Sequence, residues 1–265
     1  MHDSDLLHIG DIALASRFFL GSAGYPSPQA LADAIVASAT GVLTVGLKRT
    51  LEAGDNGAVA LAIDRAKSQG ARLLPNTAGC RTAREAVQLA HMARELYGTP
   101  WIKLEVVGDE QSLQPDPVEL LAAAAELARD GFTVFPYCTE DLVLGRRLLD
   151  AGCAVLMPWG APIGSGQGLQ NIPALRRLRE RLPDAVLIVD AGLGAPSQAA
   201  QAMELGFDAV LLNSAVAQAR APVAMAAAFR DAIRAGRGAR LAGLMAPQDF
   251  AVASTPVSGH AFLLD

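Results

Sequence analysis

Eight short aliphatic and aromatic runs, spaced almost evenly along the chain, constrain what this sequence can fold into. They begin at Phe18, Val42, Arg72, Trp101, Phe132, Ala154, Val186 and Ala209, so successive starts lie 24, 30, 29, 31, 22, 32 and 23 residues apart. Between them lie alanine-rich stretches of helical period, as at Gln29–Ser38, Thr82–Leu96, Pro117–Arg129 and Ser197–Leu205. A strand, a helix and two short turns need about 25–30 residues, so the repeat is one βα unit. Runs such as Val186-Leu187-Ile188-Val189 are apolar throughout, as parallel strands covered on both faces must be. Eight such units in roughly 250 residues have the count and length of a (β/α)8 barrel, an α/β fold. An open doubly wound sheet is the alternative. The first run, however, leads into Gly21-Ser22-Ala23-Gly24-Tyr25 and not into a G-x-G-x-x-G fingerprint. With no linker in view, the sequence reads as one domain over residues 1–265, with a short N-terminal lead and a C-terminal tail from about residue 242.

Composition narrows the partners. A net charge of −5 over 265 residues gives no basic footprint, which argues against nucleic acid and anionic membrane surfaces. No apolar run approaches the ~18–20 residues of a membrane span. The start, Met1-His2-Asp3-Ser4-Asp5, lacks the basic and apolar regions of a signal peptide. Cys80, Cys138 and Cys153 are an odd number without C-x-x-C spacing, so a disulfide framework is not expected and a reducing cytoplasm is. His2, His8, His91 and His260 form no constellation with acidic residues, so no metal is expected. Cys80 and Cys138 follow strand ends, where a thiol either lines a pocket or, more commonly, fills buried apolar space. Of 22 basic residues only Lys48, Lys67 and Lys103 are lysines.

In barrels of this kind chemistry sits at the C-terminal ends of the strands. Polar residues recur at that register: Asn76-Thr77, Lys103 and Glu105, Tyr137, the stretch Gly164–Gly168, Asp190, and Asn213-Ser214. Alternation along Trp101–Val106 puts Trp101, Lys103 and Glu105 on one face and Ile102, Leu104 and Val106 on the other. The aliphatic face belongs against helices, which turns Lys103 and Glu105 into the barrel. Burial should lower the lysine pKa and free the amine for carbonyl chemistry, with the neighbouring carboxylate opposing that drop while moving protons. A Lys–Glu pair that merely fills the barrel is the plainer alternative. Lys48, beside Arg49 in a loop, suits a surface or phosphate role, and Lys67 in a helical segment suits solvent. Asp190 ends an aliphatic strand, where it serves equally as a helix cap or as an acid–base group. The glycine-rich loops Gly164–Gly168 and Ala191–Gly194, with Asn213-Ser214, suit a phosphate cradle at the last strands.

Several strings then carry a resemblance. Asn76-Thr77-Ala78-Gly79-Cys80, Trp101-Ile102-Lys103-Leu104-Glu105-Val106, Ala161-Pro162-Ile163-Gly164-Ser165-Gly166, Val189-Asp190-Ala191-Gly192 and Ala202-Met203-Glu204-Leu205-Gly206 together resemble bacterial thiazole synthase of thiamine biosynthesis, from about Phe18 to Gly259. The resemblance implies a barrel that builds thiazole phosphate from 1-deoxy-D-xylulose 5-phosphate, dehydroglycine and sulfur. The sulfur comes from a thiocarboxylated, ubiquitin-like sulfur carrier protein. It also implies a homo-oligomer, a tetramer in the family, and no cofactor. Residue by residue, it implies Lys103 as the Schiff-base lysine, Glu105 and Asp190 as acid–base groups, and Gly164, Ala191, Gly192, Asn213 and Ser214 as sugar-phosphate contacts. Two departures stand out: Gly24 where the family commonly has lysine, and Trp159 where leucine is usual, a change expected to reshape the pocket mouth. The competing functions are a class I aldolase-like phosphosugar lyase and a catalytically silent barrel that docks other proteins.

Overall fold

The computed structural model describes residues 5–48, 56–252 and 254. The chain opens with a hairpin, β1 (Leu7–Ile9) and β2 (Ile12–Leu14), followed by the first barrel strand β3 (Phe18–Gly21). Strands and helices then alternate: α1 (Pro28–Ser38), β4 (Val42–Gly46), α2 (Asn56–Ser68), β5 (Arg72–Asn76), α3 (Ala83–Tyr97), β6 (Trp101–Leu104), α4 (Pro117–Arg129) and β7 (Thr133–Cys138). The second half continues with α5 (Leu142–Asp150), β8 (Val155–Pro158), α6 (Ile172–Arg181), β9 (Val186–Asp190), α7 (Pro196–Glu204), β10 (Ala209–Leu212), the short α8 (Ser214–Ala217) and α9 (Pro222–Ala242). Strands β3 to β10 pair in parallel and close on themselves, β10 against β3. This is the (β/α)8 barrel expected from the repeat. Every expected strand is present at its expected place, except that β6 stops at Leu104 and leaves Glu105 just beyond it.

Local chemistry explains where the helices start. Side chains of Ser27, Thr82, Asp116, Asp141 and Asn171 accept backbone amides of the first helical turn, and Pro28 and Pro117 bring a preset φ to the turn after the cap. Strand residues facing outward, such as Ile102, Leu104, Val189 and Val210, form one large apolar cluster with the helices. Inward-facing residues form a second cluster, in which Phe19, Leu74, Trp101, Phe135, Met157 and Ile188 fill the barrel's interior. Trp101 and Phe135 pack as tilted rings with centroids 5.0 Å apart.

The hairpin was not foreseen in what reads as a mere lead. Its signal is a two-residue Gly10-Asp11 turn, with Gly10 at φ 57, between triplets that pair Leu7 with Leu14 and Ile9 with Ile12. Leu7, Ile9 and Leu14 are buried in the interior cluster, beneath the N-terminal ends of the barrel strands. Arg17 anchors this floor, donating to Asp208 O at 2.7 Å and to Asp5 at 2.8 Å, and Arg237 of α9 reaches the same carboxylate at 2.6 Å. No helix among the described residues is long and apolar enough to cross a membrane.

Helices α7 and α9 approach so closely that a Cβ on Gly236 would lie 2.3 Å from the Ala200 carbonyl oxygen. Gly236→Ala should therefore destabilise the fold by about 1–3 kcal/mol through overpacking, even though alanine favours an exposed helix by about 1 kcal/mol over glycine. Urea denaturation checks the sign; a stabilised variant would show that the helices part freely.

Candidate active site

Strand β6 delivers the central group. Because its residues alternate, Ile102 and Leu104 enter the outer apolar layer while Lys103 points into the barrel, directly above the Trp101–Phe135 layer. There Lys103 Nζ meets two carboxylates, Asp190 Oδ2 at 2.6 Å and Glu105 Oε1 at 3.2 Å. All three side chains are buried. Asp190 ends β9, three strands away around the barrel, so closure of the sheet is what brings it to the lysine. Glu105 is held by an exchange with Thr77, whose hydroxyl donates to Glu105 O and accepts from Glu105 N, both at 2.8 Å. Thr77 thus supports the carboxylate's backbone from the end of β5.

The electrostatics correct one expectation. Burial alone presses Lys103 toward the neutral amine, but the charges and hydrogen bonds of Asp190 and Glu105 together outweigh it and hold the group above the ordinary lysine value. The resting amine is an ammonium. Asp190 moves the other way from an ordinary carboxyl: burial and the Glu105 charge, against the pull of Lys103, push it up to about 6. Lys103 and Asp190 thus form a buried ion pair at 2.6 Å, with Asp190 the carboxylate whose pKa is shifted toward neutral pH.

Above the trio opens a cavity of about 660 Å³ at the C-terminal ends of the strands. One wall is Asn76, Thr44 and Gly46, with Asn76 Nδ2 donating to Thr44 Oγ1 at 3.2 Å. The other is made of Gly164, Ala191, Gly192, Asn213 and Ser214, so all eight residues singled out for the site border this one space. Ala191 has φ 68, a left-handed conformation that costs a residue with a Cβ about 1–3 kcal/mol and marks functional turns. Gly192 follows at φ 79, and a Cβ there would lie 2.4 Å from Ala161 N, so this loop packs backbone to backbone against the glycine-rich segment. Asn213 Nδ2 donates to Ala23 O at 2.9 Å, which turns its Oδ1 into a buried acceptor without a hydrogen-bond partner.

Other singled-out residues lie elsewhere. Lys48 donates to Gly79 O at 2.9 Å near the protein surface, and Lys67 lies in the last turn of α2. Cys80 and Cys138 are packed in the outer apolar layer with their thiols pushed up by burial, not in the cavity wall. Tyr137 lies inside β7 with its ring 5.7 Å from Lys103 Nζ and its buried hydroxyl without a hydrogen-bond partner. Trp159 does not border the cavity; its indole turns outward to Glu140. Gln218 and Met225 were not anticipated as lining residues. They come from the helical segment after β10, where no strand-end register points to them.

The comparisons with known proteins agree with one another. Residues 8–256 match the family model described as thiazole biosynthesis protein ThiG. A thiazole synthase from Burkholderia lata is 58% identical over 259 residues, covering 98% of this chain and 95% of the relative. One from Gluconobacter oxydans is 60% identical over 252 residues, covering 95% and 98%. Among solved structures, the Amycolatopsis orientalis BexX/CysO complex matches with a TM-score of 0.79 and 31% identity, over 92% of this chain and 98% of that one. The 3-hexulose-6-phosphate synthase from Salmonella typhimurium, at 18% identity and a TM-score of 0.59, shares only the fold, with 82% of this chain and 98% of that one covered. With full-length agreement at this level of identity, the chain belongs to the thiazole synthase family.

Proposed function

We propose that this protein forms the thiazole phosphate of thiamine from 1-deoxy-D-xylulose 5-phosphate, dehydroglycine and the sulfur of a thiocarboxylated, ubiquitin-like carrier protein, through an imine on Lys103. The observation that carries the reading is the buried Lys103 ammonium, 2.6 Å from one carboxylate and 3.2 Å from another at the base of an open cavity. Family membership supports the product. The neighbouring complex of BexX with a second protein, CysO, supports a protein partner at this barrel.

Charge orients the sugar. With both carboxylates ionised the trio carries a net charge of −1, which repels a phosphate. The glycine-rich wall opposite offers exposed backbone, the Ser214 hydroxyl and the backbone amides of Ser214 and Ala215. The phosphate therefore belongs at that wall and the ketone at Lys103. Asp190 takes a proton from the ammonium, and the neutral amine adds to the ketone carbon. The protonated Asp190 then returns its proton to the departing hydroxyl, so that one water leaves as the C=N bond forms. The positive iminium acidifies the adjacent C–H, and Glu105 accepts that proton in the tautomerisation which moves the carbonyl along the chain. Sulfur transfer from the carrier, loss of water and ring closure with dehydroglycine follow.

Borohydride reduction with the sugar phosphate should fix its carbon skeleton on Lys103, as read by peptide mass spectrometry. Lys103→Ala should give no adduct and no thiazole phosphate with a thiocarboxylated carrier. An adduct on Lys48 instead, or none on the wild-type protein, would sink the reading. The proton relay has its own signature. Asp190 must be ionised to accept the lysine proton, and it becomes protonated as pH falls through about 6, so kcat/KM should decline below about pH 6. Asp190→Asn should remove that acid limb and lower the rate by roughly 10²–10⁴-fold. An unchanged limb in the variant would assign it to another group.

A further inference from the structure

Between the end of β8 and the start of α6 the chain forms the loop 160–170, whose residues Ile163, Gly164, Ser165 and Gly166 face the cavity. Gly164, Gly166 and Gly168 all have positive φ, at 74, 64 and 80, so the segment has large conformational freedom to lose on ordering. Its own backbone provides some restraint: Gln170 N donates to Gly160 O at 3.0 Å and Gly168 N to Gly192 O at 2.8 Å. Both ends of the loop also converge on one side chain from outside the cavity. Glu140, on the connection from β7 to α5, accepts Trp159 Nε1 at its Oε2 and Asn171 Nδ2 at its Oε1, the latter at 2.9 Å. Trp159 immediately precedes the loop and Asn171 immediately follows it.

The geometry fixes which way each partner faces. Asn171 Oδ1 accepts Ala174 N at 3.3 Å as the cap of α6, so its NH2 is the end turned to Glu140. An indole offers one donor and no acceptor, and a carboxylate has one oxygen for each of the two donors. Trp159 is further fixed by its backbone, which donates to Cys138 O at 2.9 Å and bridges to Asp190 of β9. Glu140 thus joins β7, β8 and α6 around the base of the loop. It borders a separate crevice of about 460 Å³, with Gln114 and Arg177, and not the cavity that holds Lys103.

We propose that Glu140 is a positioning residue which clasps the two ends of loop 160–170 and presets the phosphate-facing wall of the active site. It touches no reacting atom, and it acts by removing loop freedom before the ligand binds. The proposal rests on the reading of this cavity as the sugar-phosphate site. Loss of the clasp costs binding and leaves the chemistry at Lys103 largely alone, which is the pattern of raised KM with kcat retained.

The test uses the full-length protein with 1-deoxy-D-xylulose 5-phosphate. Glu140→Ala should raise KM for the sugar phosphate by about tenfold with kcat within about twofold, given what charge-assisted hydrogen bonds are worth. Glu140→Gln, with one acceptor oxygen left, should fall between it and the wild type. Trp159→Phe should shift KM in the same direction, and adding it to Glu140→Ala should cost less than the two separate effects combined. Hydrogen exchange of peptides spanning residues 160–170 should speed up in Glu140→Ala without ligand, while peptides from β6 stay protected. Unchanged KM together with unchanged exchange in that loop would overturn the clasp, as would strict additivity of the two substitutions. Should the wild type form neither imine nor thiazole, the sugar-phosphate reading falls, and the exchange experiment still decides whether Glu140 holds the loop.

Discussion

An ammonium withdrawn from water is costly unless its partners replace the lost hydration, and in this protein that requirement organises the barrel. Lys103 is buried, and its replacement partners are two carboxylates from different strands. Asp190 arrives only because the sheet closes, and Glu105 only because Thr77 pins its backbone just past β6. Burial acts on Asp190 as well: desolvation, joined by the Glu105 charge and against the pull of Lys103, pushes its carboxyl up to about 6. On the proposed reading, the groups that stabilise the buried lysine are the same ones that move its protons, so structural and chemical roles of the trio fall on the same residues.

Rigid and pliable parts of the site follow from composition. The lysine side is built from strand residues packed on an aromatic layer, and its geometry is inherited from the barrel core. The opposite side is built from glycine turns that approach one another so closely that a Cβ on Gly192 would meet Ala161 at 2.4 Å. Bare backbone can wrap an anion but has few side chains to hold it in place, and restraint has to come from neighbours. The Ala191 backbone, held in a conformation alanine disfavours, shows how firmly that turn is fixed beside Asp190.

Much of this was legible in the residues. The spacing of the apolar runs determined the barrel, and alternation in Trp101–Glu105 determined that Lys103 faces inward, because both depend only on chain geometry. Strand-end polarity brought Asp190, Gly164, Gly192 and Asn213 to one cavity for the same reason. The protonation state of Lys103 was not legible: it depends on how near Asp190 comes, a distance between residues 87 positions apart. Cys138 ends β7 yet packs outward, since alternation and not proximity to the strand end decides its face, and Cys80, in the loop beyond β5, joins the same outer layer. Trp159 turned away from the pocket because Glu140 offers its indole an acceptor there. The hairpin at Leu7–Leu14 was overlooked because each of its strands is only three residues long.

That hairpin has a consequence for traffic. With Leu7, Ile9 and Leu14 packed under the aromatic layer, the barrel is stoppered below Lys103, and its amine faces a cul-de-sac open at the strands' C-terminal end. On the proposed reading, sugar phosphate, dehydroglycine and carrier all reach Lys103 through that opening. In such a vessel the proposed imine does more than activate the first arrival: it keeps that molecule from drifting out while later and bulkier partners come to the mouth.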